Sequence, residues 1–199
     1  MKSVFCDTPT HWLEELRQSG ADRWDEMWEG VLHVPPSATV EHQSFGGSLL
    51  VWLTIHWAKP NGCRVYPTVN ISDREQDWTH NDRIPDLTLL TPDRFHIDRS
   101  EFFFGAPLVV VEIRSPKDES YEKMPFYAKI GVPEVWVFDR DSKRPEIFRL
   151  EDDAYVACEP AANGWILSCA TGIEFRHTKS GKLGIRIAAR PESEANLPD

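Results

Sequence analysis

The segment that most constrains this chain is Pro107 to Ile113, PLVVVEI, a near-continuous apolar run with one carboxylate inside it. A strand apolar on both faces is covered on both faces, which places this one in the middle of a sheet. Tyr121 to Ile130 reads as a helix stopped by Gly131, and Pro133 to Asp139, PEVWVFD, reads as the next strand. Together they form a β-α-β unit whose two strands run parallel. A chain built around such a unit is expected to be an α/β protein.

The flanking pattern fits that frame. Residues 10 to 19 have helical spacing, and Thr39 to Trp57 puts Phe45, Leu49, Trp52, Leu53 and Trp57 on one helical face, with Pro60-Asn61-Gly62 as the stop. RWDEMWEG runs with helix-like spacing into a turn at Gly30 and a short strand, Val31 to Val34. Arg64 to Ser72 and RIPDLTLL, 83 to 90, read as strands, separated by the polar, acidic loop SDREQDWTHND. Short strands follow near 145 to 150, 154 to 158, 165 to 168, 172 to 176 and 183 to 187. With 199 residues, the chain is long enough for one sizeable core. One domain is expected over residues 1–189, and the polar segment 190–199 is expected to be a disordered tail.

Other features narrow the function. No apolar window approaches the length of a membrane span, and no leader pattern precedes the first helix, so a cytoplasmic protein is expected. Cys6, Cys63, Cys158 and Cys169 form no C-x-x-C pair and read as buried free thiols. Motifs for nucleotide loops and nucleophilic serines are missing as well. The formal charge of −10 carries no phosphate-binding signature of its own.

The chemistry lies in Asp86, at the head of one apolar strand, and Glu112, near the end of the next. Carboxylates in such positions cost several kcal/mol unless they are paired or bind a metal. Adjacent strands could set the two side by side as hard oxygen ligands for Mg²⁺ or Mn²⁺. The plainer reading makes each a solvated strand-end residue or an ion-pair partner, and spacing alone leaves both open.

RIPDLTLL, LVVVEIRSP, Lys123 four residues before Tyr127, and GVPEVWVFD resemble the successive motifs of one bacterial family. EMWEGVLHVPPS followed by His42 resembles its amino-terminal signature. This is the Uma-two-type restriction endonuclease family, within the PD-(D/E)XK nuclease superfamily. The likeness covers about residues 10 to 150, in order and at matching spacings.

The resemblance implies a restriction-endonuclease-like core, a mixed central β-sheet flanked by α-helices, here with additional C-terminal strands. It implies that Asp86, Glu112 and the carbonyl of Ile113 hold the metal. The superfamily's usual lysine position, two residues after the glutamate, is Arg114, which cannot act as a base. The family's lysine maps instead onto Lys123, where Pro125 would leave it at the helix entrance with its ammonium displaced. Glu26 matches an acid on the family's first helix, and His42 matches a histidine able to contact phosphate or move a proton. Glu29 is the same residue type as Glu26 with no motif match. Each could also be an ordinary solvated or hydrogen-bonded side chain.

The expected activity is thus metal-dependent endonucleolytic hydrolysis of phosphodiesters, with DNA favoured over RNA as the nucleic-acid partner. The alternative is a catalytically degenerate member of the fold that binds or self-associates. A homodimer is the expected assembly, and Phe102-Phe103-Phe104 either offers a contact surface or folds under the core. The acidic loop from Asp73 to Asp82 is a further candidate contact, for a basic protein.

Overall fold

The computed structural model describes residues 3–6, 8–116 and 118–198. In chain order, β1 (Ser3–Phe5) precedes α1 (Thr10–Ser19), the hairpin β2 (Glu26–Trp28) and β3 (Val31–Val34), and α2 (Val40–Leu53). A π-helical turn, Thr54–Ala58, carries α2 into α3 (Lys59–Asn61). Then come β4 (Arg64–Pro67), β5 (Ile71–Ser72), β6 (Asp82–Arg83), β7 (Leu87–Leu90) and β8 (Phe103–Phe104). The unit β9 (Val109–Arg114), α4 (Met124–Ile130) and β10 (Glu134–Asp139) follows. The chain closes with β11 (Pro145–Glu151), β12 (Ala154–Ala157), β13 (Ile166–Leu167), β14 (Ile173–His177), β15 (Leu183–Ile187) and β16 (Arg190–Leu197).

The central sheet has the order β12-β11-β10-β9-β7-β4. β9 and β10 are parallel and the other neighbours antiparallel, so the sheet is mixed, with β9 interior as its composition requires. Period-two alternation sends Val109, Val111 and Ile113 to one face, where they join Phe45, Leu49, Trp52, Leu53 and Trp57 of the long helix. That layer continues into a four-stranded C-terminal sheet, β13-β14-β15-β16, through Ile173, Phe175, Leu183 and Ile185. Val110 joins the opposite core with Phe126, Tyr127, Val135 and Val137, under α4. Glu112 shares the face of Val110 by the same alternation, and this places it beneath the α4 entrance.

Several expectations change. The segment 83–90 is not continuous: Pro85 can give no ladder N–H, and the strand breaks between β6 and β7. The segment 64–72 is likewise split between two sheets. Residues Glu26–Trp28 form a strand rather than a helix, because they pair with β3. The expected disordered tail is an eight-residue strand. It pairs with β15 and buries Leu197, while Trp52 Nε1 donates to the Ser193 carbonyl at 3.2 Å. Its polarity reflects an edge position with half of its side chains exposed, and polarity alone was misleading.

Phe102 and Phe103 are buried, so the aromatic run folds under the core and is not a contact surface. The thiols are free but none is fully buried: Cys6 and Cys169 are exposed, and Cys63 and Cys158 are partly buried. Among the described residues no helix is long and apolar enough to cross a membrane.

One glycine carries the hairpin that delivers Glu26. Gly30 has φ +86°, its N–H donates to the His80 carbonyl at 3.0 Å, and a Cβ there would meet the His80 ring at 2.9 Å. Gly30→Ala is expected to lower stability by about 2 kcal/mol, combining left-handed strain with the clash. Urea unfolding checks this, and a change below roughly 0.5 kcal/mol would contradict it.

Candidate active site

The antiparallel register pairs Leu87 with Val111. Carried one residue further, it sets Asp86 across from Glu112. Because Pro85 interrupts the strand, the Asp86 side chain turns back onto β9. Its Oδ2 accepts from the Ile113 N–H at 2.6 Å, and its Oδ1 lies 3.2 Å from His42 Nε2.

His42 arrives on the first turn of α2, which starts at a Thr39 cap whose hydroxyl accepts the His42 N–H at 3.3 Å. Its ring also hydrogen-bonds the Ile113 backbone. Burial pulls the imidazole pKa down, but the hydrogen bond and charge of Asp86 outweigh it, and the net shift is upward.

Glu112 is 3% exposed. Its Oε1 accepts from the Tyr127 hydroxyl at 2.7 Å and its Oε2 from Lys123 Nζ at 3.2 Å. Lys123 occupies the cap position of α4, which begins at Met124, so Pro125 falls in the first turn, where a missing N–H breaks no helical bond. The displaced ammonium expected from Pro125 is therefore not what the structure has. Lys123 Nζ also pairs with Glu26 Oε1 at 2.7 Å and donates to the Ile84 carbonyl at 3.3 Å, giving each of its protons an acceptor.

Two carboxylates, Glu112 and Glu26, thus share one ammonium, with the charge of Asp86 close by. Burial, together with the charges of Asp86 and Glu26, pushes Glu112 up to about 8 against the pull of Lys123 and Tyr127. Burial opposes the charge of Lys123, yet Glu112, Glu26 and Asp86 more than compensate, and its pKa is raised. Tyr127 is raised by burial and by Glu112 and Glu26.

Glu26 lies on β2, not on a helix, and is buried. Besides Lys123 it accepts from Ile84 N–H at 2.8 Å and from Trp28 Nε1 at 2.7 Å. Trp28 is stacked on His33 and lies under the Arg83 guanidinium, so the indole that fixes Glu26 is itself held. Sequence reading did not find Trp28; a strand assignment would have put Glu26 and Trp28 on one face two residues apart. Glu29 sits in the hairpin turn at φ 48°, exposed, and pairs with Arg74 at 2.9 Å, away from the cluster. The acidic loop is anchored too, through Asn81 to Glu29 and Asp73 to Lys129.

Asp82 braces this hairpin, accepting from Met27 N–H at 3.3 Å and Asn70 Nδ2 at 2.8 Å. Burial first, then the charge of Glu26, raises it to about 7, against the hydrogen bonds and Arg83. A raised acid stabilises the fold fully below its unfolded pKa, and that stability is lost as pH rises through the folded value. Asp82→Asn removes the loss. Stability of the variant relative to wild type is expected to rise by about 2–3 kcal/mol between pH 5 and pH 8. A pH-independent difference in denaturant midpoints would contradict this.

The structure therefore brings Asp86, Glu112, Ile113, Lys123, Glu26 and His42 into one cluster. Arg114 is outside it, paired with Asp139 at 2.7 Å. Among the described residues no three of His, Cys, Asp and Glu form a ligand cluster by themselves. Asp86 and Glu112 present hard oxygens on facing strands, each already oriented by its own hydrogen bonds. As hard carboxylate oxygens, this donor set fits a hard divalent cation.

The mixed central sheet flanked by helices is the restriction-endonuclease-like class of nuclease folds. The chain belongs to the Uma2 family, described as "Putative restriction endonuclease", whose model matches residues 13–178. Among solved structures it resembles one from Anabaena variabilis described as "a putative nuclease belonging to DUF820". The TM-score is 0.57 at 17% identity, covering 69% of this chain and 78% of that one, a likeness of fold. No curated protein matches the chain.

Proposed function

We propose that the chain is a metal-dependent endonuclease that hydrolyses phosphodiesters in DNA. The observation that carries this reading is the cluster in which buried Glu112 and Glu26 share the ammonium of Lys123, with the partly exposed Asp86, held by His42, on the strand beside them. Asp86, Glu112 and the Ile113 carbonyl would hold the Mg²⁺ or Mn²⁺, a small set that leaves positions for water as magnesium prefers. When bound, the cation supplies Lewis-acid polarisation of the phosphoryl oxygen and a nucleophile at neutral pH.

The protein's own groups supply the rest. Tyr127 fixes the rotamer of Glu112, and the Ile113 N–H fixes that of Asp86. Lys123 stays protonated, so it acts as a charge opposite the developing negative phosphate rather than as a base. Glu26 and the Ile84 carbonyl hold that ammonium in place. His42, against Asp86, is placed to take up or release a proton at the edge of the site.

The test is nicking of supercoiled plasmid by wild type and Glu112→Gln in Mg²⁺, Mn²⁺ or EDTA, with single-stranded DNA and RNA alongside. Cutting by wild type that needs the metal and is lost in the variant supports the proposal. Folded wild-type protein that cuts none of these would move the assignment to a binding module.

A further inference from the structure

Glu26 and Lys123 meet at 2.7 Å, although one stands on the β2–β3 hairpin and the other at the entrance of α4. That contact is only as precise as the spacing of the two elements. His33 stands directly across from Glu26 in the hairpin register. Cross-strand partners share a face, and Trp28, two residues after Glu26, lies on it too.

The His33 ring stacks on Trp28 with centroids 4.0 Å apart and planes 13° from parallel. Trp28 is the residue whose indole N–H holds Glu26 at 2.7 Å. On the edge of the ring, His33 Nδ1 lies 3.0 Å from Glu119 Oε2, and an ionised carboxylate there accepts. Glu119 belongs to the turn that enters α4, because its carbonyl accepts the Lys123 N–H at 3.2 Å. The His33 and Glu119 side chains are 12% and 16% exposed, so their bond is made largely out of water, where it is stronger.

We propose that His33 is a positioning residue of the active site, a clamp between Trp28 and Glu119 that fixes the Glu26 carboxylate against the Lys123 ammonium. Its catalytic consequence rests on the nuclease reading. The competing role is a brace that holds the hairpin on the fold and has no bearing on where the ammonium sits.

A clamp and a brace differ in what they couple. The first measurement is the urea double-mutant cycle of Lys123→Met and Glu26→Gln, run on the full chain and again with His33→Ala added. A clamp makes the interaction between the two residues depend on His33, so the coupling is expected to fall to about half or less in the His33→Ala background. A brace lowers the stability of every corner alike and leaves the coupling unchanged. His33→Asn, which keeps a donor near the Nδ1 position, is expected to fall between, and its cycle decides the question if His33→Ala does not fold.

The second measurement is nicking of supercoiled plasmid at saturating Mg²⁺. His33→Ala is expected to lower kcat about 10- to 100-fold with KM within about twofold of wild type, because a displaced ammonium fails charge that develops only in the transition state. Glu119→Gln, which keeps an oxygen acceptor for Nδ1, is expected to stay within about threefold of wild type. Unchanged coupling, or a folded His33→Ala with kcat within about twofold of wild type, would overturn the clamp and leave the nuclease reading standing. A wild type that cuts nothing would remove the nuclease reading and the catalytic consequence with it, while the coupling would still decide the clamp.

Discussion

Asp86→Ala and Glu112→Ala are each expected to abolish metal-dependent strand scission, lowering the rate by at least about a thousandfold, equivalent to about 4 kcal/mol of transition-state stabilisation. The size follows from the few ligands the chain offers. In the proposed ligand set of two carboxylates and one carbonyl, loss of either acid halves the charged members. The folds should survive. Without Glu112, Lys123 keeps Glu26 and the Ile84 carbonyl. Without Asp86, the Ile113 N–H lies near the partly exposed edge of the cluster, where water can replace the lost acceptor.

A thermal melt separates lost chemistry from lost folding. Mn²⁺ should raise the Tm of wild type by mass action and leave either variant unmoved. A variant that cuts at the wild-type rate, or whose Tm still responds fully to Mn²⁺, would put the metal elsewhere.

Much of this was legible in the sequence because the decisive elements are strongly periodic. The run PLVVVEI has the composition that only an interior strand needs, and it is interior. The five apolar residues from Phe45 to Trp57 repeat at helical spacing because one helix covers one face of the sheet, and all five are buried. What failed was short or set by distant partners. Glu26, Met27 and Trp28 are too few to show a period, and their strand is defined by β3 and by the Asp82 carboxylate, 55 residues away from Met27.

The edge strand β16 reads as polar because little of it is covered, so the same composition describes a strand and a disordered tail. The sequence motif indicated Lys123 but not its geometry. Pro125 argued for displacement until the helix start moved to Met124, which makes the proline harmless. The residues that orient the cluster, Trp28 and the Ile84 carbonyl, carry no sequence signal of their own, since one acts through a neighbour's side chain and the other through the backbone.

Lys123→Met should produce the other large effect, and it should appear in stability as well as activity. Among the described residues the ammonium is the only cation paired with Glu26 and Glu112, both buried. Removing one partner from a buried ion pair leaves uncompensated charge and costs about 3–5 kcal/mol. Part of that cost is relieved by protonation of Glu112, already raised to about 8 with the lysine present. The penalty should therefore shrink as pH falls from 8 towards 5, since an acid raised in the folded state loses its stabilising contribution only as pH rises.

Glu26→Gln in the same background should recover part of the loss, giving a coupling energy of about 1–3 kcal/mol in the double-mutant cycle. Mn²⁺ should stabilise Lys123→Met more than wild type, because a divalent cation replaces the missing charge between the acids. Cleavage should nonetheless fall by about 10²- to 10³-fold, the usual loss on removing one group aimed at developing charge. An exposed helix lysine would behave otherwise. Its removal would leave the melt within about 0.5 kcal/mol of wild type and the cleavage rate unchanged, and that pair of results would mean that the acids are balanced by something other than Lys123.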